Sequence, residues 1–170
     1  MSIGNKYDVE YFLNDIERVF KANLNDQIDL VNDEKNNRTD TTDDDFTIAR
    51  IPDDGWYLNH IPEVWSYKQF ILWGLEDLQI KRPQPDGAFL EVKAFIEVAI
   101  PDDGEESKKS MFYKQLRYSR SLQDVALKNF DKIRGYGKIQ VDALSPTLVS
   151  ISDKRLRVSG ITITALIGIR

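Results

Sequence analysis

The chain has 170 residues and a mass of 19.7 kDa, the length of one domain, with 41% hydrophobic residues and a net charge of −5. It holds no cysteine and a single histidine, His60. That excludes disulfides, thiolate metal sites and Cys nucleophiles, and it argues against a multi-histidine metal site or Ser-His-Asp chemistry.

An acidic chain of pI 5.0 without a basic stripe is a poor binder of nucleic acid, whose phosphates are met by Lys and Arg. MSIGNKYDVEYF lacks the apolar core of a signal peptide, and no apolar run approaches membrane-helix length. No cofactor, metal or membrane partner is expected, and no sequence-specific nucleic acid.

In chain order, the first element is an amphipathic helix over about 9–32. Val9, Phe12, Leu13, Ile16, Val19, Phe20, Leu24, Ile28 and Val31 recur in steps of three and four, with Asp8 placed as N-cap. Residues 32–45 hold six acids and two bases and no apolar period, which predicts a flexible acidic loop. A short strand is expected over 46–51, then a turn at 52–55 and an irregular segment rich in Trp and Tyr.

Residues 69–82 and 88–100 are expected to form an antiparallel hairpin around the turn PQPDG. Leu90, Val92, Ala94, Ile96, Val98 and Ile100 share one face of the second strand, with Glu91, Lys93 and Glu97 on the other. A second helix follows over about 107–130, with Met111, Leu116, Tyr118, Leu122, Val125 and Phe130 as its buried side. Strands near 139–143, 148–151 and 155–169 complete the chain. In the last, Leu156 and Val158 are even while Ile161, Ile163, Ala165, Ile167 and Ile169 are odd. That change of parity predicts a β-bulge at Ser159-Gly160. Strands and helices are segregated, so the fold class is α+β: a mainly antiparallel sheet with a long hairpin and two helices packed on it, in one domain.

Three constellations could carry function. Glu91-Val92-Lys93 with an upstream Asp resembles the Mg²⁺ site of restriction-endonuclease-like nucleases, in which two carboxylates hold the metal and the lysine helps activate water. Asp86 falls in the turn and Asp77 has the better spacing. The bland alternative is a solvated strip of alternating charge. The second is the aromatic cluster Trp56, Tyr57, Trp65, Tyr67, Phe70 and Trp73, a stacking platform or else a core corner or subunit contact, with His60 as a packing residue. The third is the basic set Lys108, Lys109, Lys114, Arg117 and Arg120 on the second helix. It is a solvated face, or a contact for an acidic surface of a like subunit such as Asp43, Asp44 and Asp45.

The layout also resembles a known family. YFLNDIERVFKANLNDQIDLVNDEKNN, then QFILWGLEDLQI leading into FLEVKAFIEVAI, then MFYKQLRYSRSLQDVALKNF and a β-rich end are similar to tail terminator (tail completion) proteins from the neck of tailed bacteriophages. LRYSRSLQDV is the most family-like phrase. The resemblance implies a structural, non-enzymatic virion protein assembled in the host cytoplasm. It implies a homo-oligomeric ring, usually a hexamer, that caps the tail tube, ends its polymerisation and receives the neck and connector proteins, and in contractile tails the sheath. A head-completion or adaptor protein of the same neck is the neighbouring reading. The family offers no residue motif to transfer. Trp56, Trp65, Arg117, Arg120 and Asp43 to Asp45 are therefore expected at subunit contacts on grounds of charge and aromatic content alone.

Overall fold

Asp8 opens the first helix by accepting the Tyr11 N–H at 2.9 Å, which satisfies one of the donors the first turn leaves free. The computed structural model describes residues 8–37, 46–63, 68–84, 87–133 and 138–169. Helix α1 runs over Val9–Asn36 and buries Phe12, Ile16, Val19, Phe20, Leu24, Ile28 and Val31 along one stripe, as the spacing requires. It continues one turn beyond the expected end at residue 32, into the stretch read as a flexible acidic loop. The cause is visible in its last turn. Asn32 and Asn36 are polar but have partners inside the subunit, so the helix gains contacts there that composition does not register. Of the expected loop, 38–45 lies outside the described residues.

Residues 46–51 are extended but form no strand, contrary to expectation. Their backbone is held by side chains instead. The Asn32 amide donates to Ile48 O at 2.8 Å and accepts from Ile48 N at 3.0 Å. Asn25 does the same for Ile51, at 2.9 and 2.7 Å. Seven residues of helix span about 10.5 Å and three of extended chain about 10 Å, so two asparagines one heptad apart match Ile48 and Ile51. Tyr118 adds a hydrogen bond to Ala49 O at 2.7 Å. Ile48 and Ile51 are buried beneath.

The sheet comprises β1 (Trp56–Leu58), β2 (Phe70–Gln84), β3 (Gly87–Pro101), β4 (Ile139–Ala143), β5 (Thr147–Ile151) and β6 (Lys154–Ile169). Its order is β1-β2-β3-β6-β4, with β5 also on β6. Among the described residues only the short β1–β2 pair is parallel. β4 and β5 lie end to end along the same edge of β6, opposite 161–165 and 154–158. The edge breaks between them at Ser145-Pro146, where proline has no N–H to give a ladder. Gln115 closes the break by donating to Thr147 O at 3.1 Å and Val158 O at 2.9 Å.

β3 and β6 pair in unbroken register from Ala88↔Ile169 to Pro101↔Leu156, so the bulge expected at Ser159-Gly160 is absent. Odd residues of β6 face the helices throughout. At positions 157 and 159 those are Arg and Ser, while the even Leu156 and Val158 enter a second, smaller core with Phe70, Leu72 and Ala99 on the opposite face. Arg157 is paired with Asp102 at 2.9 Å, both nearly buried. The apparent change of parity is thus a change of which face is apolar. The register shifts fall in β2 instead, between Leu75 and Asp77 and between Lys81 and Gln84.

Helix α2 (Lys108–Lys128), capped by Ser107, and the four-residue α3 (Phe130–Ile133) lie with α1 over the main core. Met111, Tyr118, Leu122 and Val125 are buried as expected. Leu116 and Phe130 are exposed, and Gln115 and Arg117 take the inward positions. The α+β class and the hairpin follow the sequence reading, with helices packed on a mostly antiparallel sheet. Among the described residues no helix is long and apolar enough to cross a membrane.

Candidate functional site

The basic set on α2 does not form one patch. Arg117 points inward and is 9% exposed. Its Nη1 donates to Asn36 Oδ1 at 3.0 Å and Asn32 Oδ1 at 3.4 Å, and its guanidinium stands 6.0 Å from the Phe46 ring centre. This differs from the solvated helix face that is one reading of the basic set. Arg117 braces the Asn32 clamp within the subunit. Lys114 is paired with Glu106 at 2.6 Å, and Lys109 sits 5.8 Å over Phe46. Arg120 is exposed, as expected, and its Nε meets both oxygens of Asp124 at 2.9 Å.

Around Arg120 lies an apolar stripe that the sequence reading missed. Phe112, Leu116, Arg120, Gln123 and Leu127 follow steps of four, four, three and four, which puts them on one side of α2. Phe112, Leu116 and Leu127 are exposed, Leu127 at 65%, and Tyr113 beside them stacks on Phe46 with ring centres 4.7 Å apart. The helix is thus apolar on both sides, while its inner stripe alone fills the core. The spacing was present in the sequence, but assigning Leu116 to the core hid the second stripe.

Trp56 lies on β1 opposite Ile71, half-buried against the main core, with Lys21 Nζ 5.6 Å from its ring centre. It is a core corner more than a free platform. Trp65, Asp43, Asp44 and Asp45 lie outside the described residues. His60 bonds Leu58 O through Nδ1 at 2.9 Å and meets the Tyr57 ring edge-on, in keeping with a packing role.

Asp77 and Lys93 are directly opposite each other across β2 and β3, and Glu91 is opposite Gln79, so all share the sheet face away from the helices. Their side chains are nevertheless engaged separately. Asp77 accepts from Leu78 N at 2.8 Å and Gln79 Nε2 at 2.6 Å, Glu91 pairs with Lys81 at 3.4 Å, and Lys93 with Glu76 at 3.1 Å. That is the strip of alternating charge. Asp86 lies outside the described residues. Among the described residues no group of three or more metal-ligating side chains converges. Further along the same face, burial and then the charge of Glu76 push the Glu97 carboxyl above its ordinary pKa.

On the helix side, a cleft of about 260 Å³ opens between 47–49, the 101–106 turn and α2. Ile48, Ile100 and Met111 line it together with Asp103, Glu105 and Glu106. Tyr118, also in the lining, has its hydroxyl pKa raised by burial, and that hydroxyl is committed to Ala49 O. Lys114 also stands in the lining, paired with Glu106, so the cleft carries charge of both signs.

Compared with protein-family models the chain matches none, and no curated protein matches it in sequence.

Proposed function

We propose that this protein is a structural subunit of a phage tail. It forms a homo-oligomeric ring that caps the tail tube, ends tube growth and presents a surface to the neck and connector. The tail assignment rests on the sequence resemblance. The observation that supports assembly is the outer stripe of α2, Phe112, Leu116 and Leu127 with Arg120 among them. A helix apolar on both sides has one face left over in the isolated subunit, and contiguous exposed apolar residues rimmed by charge mark protein contacts. The Arg120–Asp124 pair beside the stripe sets orientation more than affinity.

Native mass spectrometry and negative-stain microscopy of the purified protein, alone and mixed with tail tubes, test the reading. The expected result is a ring-sized particle at tube ends, lost in Phe112→Glu and Leu116→Glu variants that keep the wild-type circular dichroism. A protein that stays monomeric in the presence of tubes, or one that cleaves DNA when Mg²⁺ is added, overturns it.

A further inference from the structure

The edge of the sheet at β2 is open over part of its length. β1 pairs with β2 only from Ile71 to Trp73, and Asn59 N adds one bond to Trp73 O at 2.7 Å. From Gly74 to its end at Gln84, β2 has β3 on one side and no strand on the other among the described residues. Its unused backbone donors and acceptors fit one kind of partner, another extended strand. Between its two register shifts β2 is regular over 77–81, and Gln79 is the middle of that run.

The residues around that midpoint are complementary to themselves. In an antiparallel pair of two copies centred on Gln79, Asp77 lies opposite Lys81, Leu78 opposite Ile80, and Gln79 opposite Gln79. Directly opposite residues share a face. Asp77, Gln79 and Lys81 lie on the face away from the helices, while Leu78 and Ile80 lie on the helix face with Val92 and Leu90. Opposite charges therefore meet on one side of the sheet and aliphatic side chains on the other. Leu78 and Ile80 are exposed in the free subunit, Ile80 at 64%.

The hydrogen-bond phase agrees. The Leu78 N–H is taken by the Asp77 carboxylate at 2.8 Å, so this donor is closed off by a side chain beside it. By alternation Ile80 directs its N–H the same way, and a partner centred on Gln79 offers Ile80 to Leu78 and Leu78 to Ile80. On pairing, the Leu78 N–H passes to a backbone carbonyl, which frees one oxygen of Asp77 for the partner's lysine while Gln79 keeps the other; in the free subunit Lys81 stands 3.4 Å from Glu91, and its ammonium can bridge the two carboxylates.

We propose that β2 is a two-fold contact, through which two copies of this chain join edge to edge about Gln79 into one continuous sheet. The contact is independent of the α2 stripe and does not rest on the tail-tube reading.

The chain lacks cysteine, so a Gln79→Cys variant carries a single thiol. Residues facing each other in a non-hydrogen-bonded antiparallel pair stand about 4.5 Å apart at Cα, within disulfide reach. Under mild oxidation Gln79→Cys is expected to form a covalent dimer, and a Gln140→Cys control on β4 is not. Sedimentation then reads the charge register. Asp77→Lys and Lys81→Asp are each expected to weaken self-association about tenfold or more, because like charges face each other. A one-to-one mixture of the two variants pairs opposite charges at every position and is expected to associate as the wild type does. The proposal is overturned if Gln79→Cys remains monomeric on non-reducing gels, if the control crosslinks equally, or if the mixture associates no better than its parts.

Discussion

Replacing Asn32 tests whether one helical side chain organises a whole segment. Its amide supplies both hydrogen bonds of Ile48, in a buried setting, and receives Arg117 at 3.4 Å. Asn32→Ala leaves a buried N–H and a buried C=O without partners. Each such group costs about 1–3 kcal/mol, partly offset by the loss of the polar amide itself, so the expected loss is about 3 kcal/mol. For a domain of this size each kcal/mol lowers the melting temperature by about 2–4 °C, which gives a fall of about 6–12 °C. Asn25→Ala should cost less, since its bonds to Ile51 are only partly buried. Asn32→Asp should fall between. It keeps the acceptor for Ile48 N and places a carboxylate by Arg117, but loses the donor to Ile48 O. Calorimetry gives the stability, and amide exchange at Ile48 locates the effect. A melting temperature within about 2 °C of wild type, with Ile48 exchange unchanged, would refute the clamp.

Other outcomes follow from the same geometry. Gly160→Ala should destabilise by about 3 kcal/mol or soluble protein should be lost, because the added Cβ would lie 2.3 Å from Ile96 O and 2.7 Å from Glu97 Cγ; an unchanged urea midpoint would contradict that close approach. Glu97 holds its proton more tightly folded than unfolded, so it favours folding in acid and opposes it as pH rises past its folded pKa. Glu97→Gln should therefore raise the melting temperature at neutral pH, with the gain shrinking toward acid, and a gain that is flat with pH would dismiss the burial argument. Arg117→Glu should cost about 3 kcal/mol or more, since it puts an acid beside Asn32 and Asn36. Arg120→Glu should leave the subunit folded and act on self-association, and equal melting shifts for the two would refute the buried setting of Arg117 against the exposed one of Arg120.

The periodic parts of the chain were legible because burial there repeats with the backbone. The α1 stripe, the hairpin and the even face of β3 all follow from apolar spacing. What failed was every place where a polar group does the work of an apolar or backbone one. The ladder of residues 46–51 is made by Asn25 and Asn32, which hydropathy counts as surface. Gln115 lies inside and Leu116 outside because the broken β4–β5 edge needs a donor at that height. The parity change in β6 was present in the sequence, but one strand cannot reveal that a second core lies across the sheet. Of the proposed contact residues, Arg120 was chosen for its charge and is exposed. Arg117, three residues earlier, turns inward to partners on α1 that no local pattern encodes.

The small core of Phe70, Leu72, Ala99, Leu156 and Val158 makes the two ends of the sheet unequal. At that end, β2, β3 and β6 are covered on both faces, with the helix-side core on one and this cluster on the other. Toward Leu90, β3 stays paired with both neighbours and keeps its helix-side cover at Val92, while its outer face turns to Glu91, Lys93 and the exposed Phe89. A strand held between two cores opens only when both open with it, so the amides near Val98 and Ala99 form the slowest-exchanging part of β3, and the stretch nearer Leu90 gives way first.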